Sequence, residues 1–182
     1  AYLQAVVRGL PLPKPPRLAI LDRDDGAFAT IRRGKELRGC IGNFAGTGLL
    51  HSVLPRVIRE AALSDPRFPP VREEELPELS LSISLLTPEK PVGGYEAIEL
   101  GRHGIVLSVG SRRAIFLPEV AVEQAWDLET TLEMLTRKAG ALPGSWRGRD
   151  ARFSVFETLK IGRHPDSACP GIVVEPSAKR IK

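Results

Sequence analysis

Apolar and polar residues alternate with a period of two along several stretches, and this period predicts β-strands. The alternation starts at Gly26, and Leu37 to Ile41 predict a returning strand after the turn residues 33–36. The most regular alternation runs from Leu79 to Leu85, where serines occupy every second position. Two further segments predict a second hairpin and a final strand. They are 105–117 and 152–159.

Helical spacing appears after each of the two predicted hairpins. Apolar residues recur every three or four positions between about 48 and 63, which predicts a core-facing helix interrupted by Pro55. Pro118 can be the first residue of another helix, and Asp127 is a typical cap for the one that follows. Gly140 is a typical stop for that last helix. Hairpins followed by helices favour an antiparallel sheet over a parallel, doubly wound one.

The predicted fold class is therefore α+β, with two lobes of mainly antiparallel sheet and packed helices. Because hairpin and helix occur twice, at 26–63 and 105–139, a degenerate duplication is one hypothesis. We predict one domain of two interleaved lobes over residues 1–161. For residues 162–182, the Pro, Ser, Lys and Arg content predicts a basic, mobile tail.

The location of the charge bears on the class of partner. The chain carries a formal net charge of +4, and residues 160–182 alone hold five basic and two acidic side chains, a net charge of +3. Residues 1–159 are therefore close to neutral, so we consider a nucleic-acid-binding regulator the weakest hypothesis. No apolar run approaches the roughly 20 residues that cross a bilayer, so we predict no membrane segment.

The chain contains two cysteines, Cys40 and Cys169, which are too few for a disulfide framework. We interpret both as reduced thiols and predict a cytoplasmic protein. Cys40 lies between Gly39 and Gly42 and close to Arg38, whose guanidinium would favour the nucleophilic thiolate. The simpler interpretation is a cysteine that only packs in the core. Glycines on both sides instead indicate an exposed strand end that a ligand or partner can approach.

A thiol enzyme usually needs a base, and the three histidines are His51, His103 and His164. We prefer His103 as the partner of Cys40, because Gly101 and Gly104 indicate a tight backbone there. Residues 65–70 read Asp-Pro-Arg-Phe-Pro-Pro, which can hold an Asp65–Arg67 ion pair or present Arg67 to an anion. The residues show no ligand spacing for a metal, and we predict neither a metal nor a cofactor.

These segments resemble a known family in their order and spacing. The stretches that carry the resemblance are Leu37 to Gly42, Asp65 to Pro70, His103-Gly104, Leu117 to Ala121, Trp126-Asp127 and Lys138 to Gly140. They are similar to the AMMECR domain family over about residues 1–160, and the six-residue cysteine motif is a hallmark of that family. The shortened opening helix, Pro55 and the segment after residue 162 depart from the family pattern.

The resemblance implies an α+β fold of two lobes with the cysteine motif near the cleft between them. It also implies kinship with the AmmeMemoRadiSam system, in which such a protein accompanies a Memo-type protein and a radical SAM enzyme. We predict Cys40 and His103 as catalytic candidates. The candidates for binding a ligand or partner are Arg38, Gly39, Gly42, Asn43, Asp65, Arg67 and Glu119.

Two hypotheses about function stay open beside the nucleic-acid regulator. In the first, Cys40 binds or covalently handles a small molecule or peptide delivered by the partner enzymes. In the second, the protein is a non-catalytic adaptor whose cysteine motif shapes a docking surface. An accessible, reactive Cys40 would separate the first hypothesis from the second.

Overall fold

The alternating segments form the strands of two separate sheets. The structure, a computed structural model, describes residues 1–44, 47–162 and 173–176. Its described residues divide into two units, one drawn from residues 1–44, 47–86, 159–162 and 173–175 and the other from residues 87–158 and 176. The predicted α+β class is confirmed. Much of the predicted tail, including His164 and Cys169, lies outside the described residues.

The first unit contains a five-stranded sheet in the order β2-β1-β3-β8-β9. Its strands are β1 (Ala27–Arg33), β2 (Glu36–Asn43), β3 (Leu79–Leu86), β8 (Thr158–Gly162) and β9 (Val173–Pro176). Its helices are α1 (Tyr2–Val7) and α2 (Leu50–Leu63), with short 3₁₀ helices at Ala19–Asp22 and Glu73–Glu78. Strand β1 pairs antiparallel with both β2 and β3.

The core of the first unit lies between this sheet and α2. The residues Ala27, Ala29 and Ile31 on one side of β1 are fully buried. The stripe of α2 that faces them includes Val53 and Val57, and both are buried. Alternation along β1 and helical spacing along α2 therefore meet in one apolar layer.

The second unit contains a four-stranded sheet in the order β4-β7-β5-β6. Its strands are β4 (Lys90–Val92), β5 (Gly104–Val109), β6 (Arg112–Phe116) and β7 (Ala151–Phe156). Its helices are α3 (Pro118–Glu123) and α4 (Leu128–Lys138), with 3₁₀ helices at Tyr95–Ala97 and Ser145–Arg147. Leu132 and Leu135 of α4 pack with the buried Trp146 in the core of this unit.

The sequence-based helix boundaries agree with the structure where capping chemistry is explicit. Pro118 is the first residue of α3. The Asp127 carboxylate accepts a hydrogen bond of 2.8 Å from the Thr130 backbone N–H, as its capping role requires. Gly140, two residues after α4 ends, has a φ of +67°, a conformation that glycine adopts without strain.

The strand predicted over residues 152–159 is wrong in one respect. The segment forms two strands, β7 and β8, which belong to different sheets and are separated by Glu157. The backbone of Glu157 pairs with Thr87, since the Thr87 N–H donates to the Glu157 carbonyl and the Glu157 N–H donates to Thr87 Oγ1, each at 2.9 Å. The alternation shifts at this point, where the apolar pair Val155-Phe156 is followed by the polar pair Glu157-Thr158. The short strand β4 pairs with β7, with Pro91 opposite Ser154.

Candidate functional site

Cys40 lies on β2, the outermost strand of the first sheet. It is paired with Thr30 on β1, and the Thr30 Oγ1 atom lies 3.4 Å from Cys40 Sγ. Its neighbour Gly39 faces Ala61 of α2, so alternation directs the Cys40 side chain to the other face of the sheet. The residue is partly buried. The thiol therefore lies outside the apolar layer formed with α2.

The peptide groups of Cys40 are held by two side chains from the loop that follows α2. Asp65 Oδ2 accepts the Cys40 N–H at 2.8 Å, and Arg67 Nη2 donates to the Cys40 carbonyl at 2.9 Å. The two side chains also pair with each other, with Arg67 Nη2 2.7 Å from Asp65 Oδ2 and Arg67 Nε 2.9 Å from Asp65 Oδ1. We call Asp65 and Arg67 the Cys40 clamp. The two side chains thus form the Asp65–Arg67 ion pair, and presentation of Arg67 to an anion stays a prediction.

Asp65 and Arg67 each stabilise the charged form of the other. The Asp65 side chain is 2% exposed, whereas that of Arg67 is 54% exposed. The hydrogen bond from Arg67, together with those from the Cys40 and Arg67 backbone, holds the pKa of Asp65 well below its usual range. The same bond raises the pKa of Arg67, and Cys40 adds a smaller contribution in that direction. Asp65 therefore stays ionised at any physiological pH.

Arg38 has a different position from the one expected beside the thiol. Pairing with β1 skips from Gly39 to Leu37, so Arg38 is the extra residue of a β-bulge. Its guanidinium donates to both Glu75 oxygens, at 2.9 and 3.0 Å, and to the carbonyls of Pro69 and Pro70. The bond from Arg38 lowers the pKa of Glu75 to about 2. Arg67, rather than Arg38, thus supplies the cation that bonds the peptide of Cys40.

The expectation that Gly39 and Gly42 leave room for a ligand is wrong. A Cβ atom at Gly39 would come within 2.1 Å of the Ala61 carbonyl oxygen of α2. One at Gly42 would come within 2.3 Å of the Phe28 ring and 2.5 Å of the Ala27 carbonyl oxygen. Neither glycine has a positive φ. Both are required because other parts of the first unit approach the β2 backbone closely.

Asn43, at the end of β2, is bound to α2. With its amide oriented to satisfy both polar atoms, the oxygen accepts from Arg56 Nη1 at 3.0 Å and the nitrogen donates to the Gly42 carbonyl at 3.0 Å. Asn43 therefore connects the end of the cysteine strand to the helix.

His103 and Glu119, the remaining candidates, belong to the second unit. His103 Nδ1 accepts the Glu99 N–H at 3.0 Å, which places the proton of the neutral ring on Nε2. Glu119 is half-buried in the first turn of α3. The pairing of His103 with Cys40 stays a prediction. The first unit brings Cys40, Arg38, Asp65 and Arg67 together in one hydrogen-bonded region.

Sequence reasoning did not single out Thr30 and Glu75. The turn at residues 33–36 alone would place Thr30 opposite Gly39, and the bulge at Arg38 moves its partner to Cys40, so the sequence did not indicate this contact. Glu75 was one of three consecutive acids, and nothing in the sequence distinguishes it from its neighbours. In the described part of the chain, no group of three His, Cys, Asp or Glu residues could hold a metal ion. No helix within that part is long and apolar enough to cross a bilayer.

Comparison with known proteins gives consistent matches. The family model AMMECR1 matches residues 3–161. A protein from Methanopyrus kandleri is 38% identical over 153 residues, which cover 79% of this chain and 73% of that protein. A protein from Methanocaldococcus jannaschii is 36% identical over 146 residues, covering 76% of this chain and 73% of that protein. The crystal structure of an uncharacterized protein from Pyrococcus horikoshii matches with a TM-score of 0.83 at 29% identity, covering 97% of this chain and 91% of that one.

Proposed function

This chain belongs to the AMMECR1 family, and we propose that Cys40 binds or covalently handles a small molecule or peptide. The supporting observation is that the clamp fixes the peptide groups of Cys40 on both sides while the residue stays partly exposed. A thiol held in this way has its direction set before any ligand arrives. A cysteine that only fills a core needs no such fixation.

The groups around the thiol fit a role as a nucleophile or a ligand-binding group. Thr30 Oγ1, at 3.4 Å from Sγ, can exchange a hydrogen bond with the thiol or with a bound ligand. The partly exposed guanidinium of Arg67 lies beside the Cys40 peptide, where it can also donate to an anionic group of a ligand. In this proposal the ligand is supplied by a Memo-type protein and a radical SAM enzyme. His103 can serve as the proposed base only when its Nδ1 releases the Glu99 N–H, which that atom accepts at 3.0 Å.

The test is to incubate the protein with a Memo-type protein and a radical SAM enzyme, and then to measure its intact mass. We expect a mass increase that maps to Cys40 and disappears in Cys40→Ser. Cys169→Ser is the matched control, because it removes the other thiol and should leave the increase unchanged. An unmodified Cys40 after incubation with both partners would contradict covalent handling.

The second candidate function is a non-catalytic adaptor. It is favoured by the internal contacts of the motif, since Arg38, Gly39 and Gly42 all meet atoms of the first unit itself. Under this alternative, binding to the Memo-type protein would survive Cys40→Ser with unchanged affinity. Under the first proposal, the same substitution removes the adduct whether or not the proteins associate.

A further inference from the structure

The outer edge of β2 is the feature from which a further inference follows. Among the residues that the structure describes, strand β2 pairs with β1 on one side and with no strand on the other. Cys40 gives its N–H to Asp65, and the closeness of the Thr30 and Cys40 side chains is typical of a non-hydrogen-bonded pair. The N–H and C=O of Cys40 therefore point away from β1, to the side where another strand could pair.

The clamp occupies that pairing position. In an antiparallel sheet, a residue on the next strand would accept the Cys40 N–H and donate to its C=O. Asp65 and Arg67 do this with one carboxylate and one guanidinium, at 2.8 and 2.9 Å. Two residues along, the Gly42 carbonyl accepts from the Asn43 side chain. Side chains thus form the hydrogen bonds of the β2 edge that the backbone of another strand would otherwise form.

The sequence of this edge explains why such protection is needed. Residues 39–44, Gly-Cys-Ile-Gly-Asn-Phe, carry no charge, and the strand has no lysine or proline there. Charged residues and prolines on the strand itself are the usual means of preventing pairing between molecules. Here the charges come from the loop after α2. Arg38 anchors that loop a second time through the carbonyls of Pro69 and Pro70.

We infer that the Asp65–Arg67 clamp guards the β2 edge against antiparallel pairing with β2 of a second copy of this chain. A pair centred on Cys40 is symmetric, because each Cys40 would exchange both backbone bonds with the other. Gly39 and Gly42 add no side chain to that contact. In such a pair the two Cys40 Cα atoms would be about 5.5 Å apart, within the range that a disulfide can bridge.

The experiment removes the hydrogen bonds of the clamp in a Cys169→Ser background. Asp65→Ala with Arg67→Gln removes both bonds to Cys40, and a second variant adds Arg38→Gln to release the loop at Pro69 and Pro70. Arg67→Gln alone serves if the combined variants do not fold, because its side chain is more than half exposed. The matched control is Glu157→Ala with Arg102→Gln, an exposed ion pair of the second unit at 3.1 Å.

We expect the folded variants to have a weight-average mass about twice that of the parent protein by light scattering. Mild oxidation should give a reducible Cys40–Cys40 crosslink, and the control should give neither result. Folded variants that keep the parent mass and form no crosslink would overturn the inference. Association without the Cys40 crosslink would overturn it too, because it would place the contact elsewhere.

Discussion

The two units repeat one arrangement of strands but secure its outer strand differently. Each has a hairpin, then helix, then a strand that pairs antiparallel with the first hairpin strand, giving the orders β2-β1-β3 and β6-β5-β7. In the first unit, the buried Asp65 and its partner Arg67 bond the outer strand at Cys40. In the second, the exposed Lys138 at the end of α4 donates to the Ile115 carbonyl of β6 at 2.8 Å.

This difference shows which charged groups contribute to the stability of each unit. The ion pairs of the second unit, such as Arg102 with Glu157 and Arg147 with Glu129, are exposed and contribute little to stability. In the first unit, Arg38 and Glu75 are only 12% and 11% exposed and bond each other at 2.9 Å. The repeated topology agrees with the duplication hypothesis, and common origin stays a prediction. Cys40 lies in the first unit, whose outer strand is bound by the buried Asp65 and its partner Arg67.

Gly39→Ala should have the largest effect, because it places a methyl group within 2.1 Å of the Ala61 carbonyl oxygen. Moving α2 away from β2 should lower the free energy of unfolding by about 3 kcal/mol. Gly93→Ala in the second unit is the matched control, since a Cβ there meets nothing within 4 Å. Denaturant midpoints measure both. Equal midpoints for Gly39→Ala and the parent would mean that α2 does not contact β2 this closely at Gly39.

Asp65→Asn should come next, with a loss of about 2 kcal/mol, because it removes a buried charge that Arg67 and two backbone N–H groups bond. Lys138→Gln is the corresponding change at the outer strand of the second unit, and we expect at most about 0.5 kcal/mol there. Thermal unfolding of both variants gives the comparison. Equal losses would remove the distinction between the two edges.

Acid should reveal a smaller effect of the same network. Because Asp65 and Glu75 have lowered pKa values in the folded protein, the unfolded chain binds protons first as the pH falls below about 4. Their stabilisation is present above that pH and is lost as the pH falls towards 2 and below. Glu75→Gln should reduce this loss by about 1 kcal/mol. A pH profile of unfolding that Glu75→Gln leaves unchanged would contradict the assignment.

The sequence was sufficient for the fold class and for the Asp65–Arg67 ion pair. Alternation at Leu79–Leu85 and the cap at Asp127 each determine local structure through neighbouring residues, so they could be predicted. The partners of Arg38 could not, because the bulge at that residue depends on pairing between β1 and β2. The glycines were misjudged for a similar reason. Open space and a close internal contact both require glycine, and only the position of α2 distinguishes them.

Alkylation of Cys40 by iodoacetamide, in a Cys169→Ser background, tests the central claim that the clamp presents a usable thiol. We predict that the native protein reacts faster than a cysteine-containing model peptide at neutral pH, because the clamp holds the Cys40 backbone while the residue stays partly exposed. Arg67→Gln should slow the reaction, whereas Lys138→Gln should not. A thiol that stays unmodified until the protein unfolds would contradict the account and identify Cys40 as a core residue.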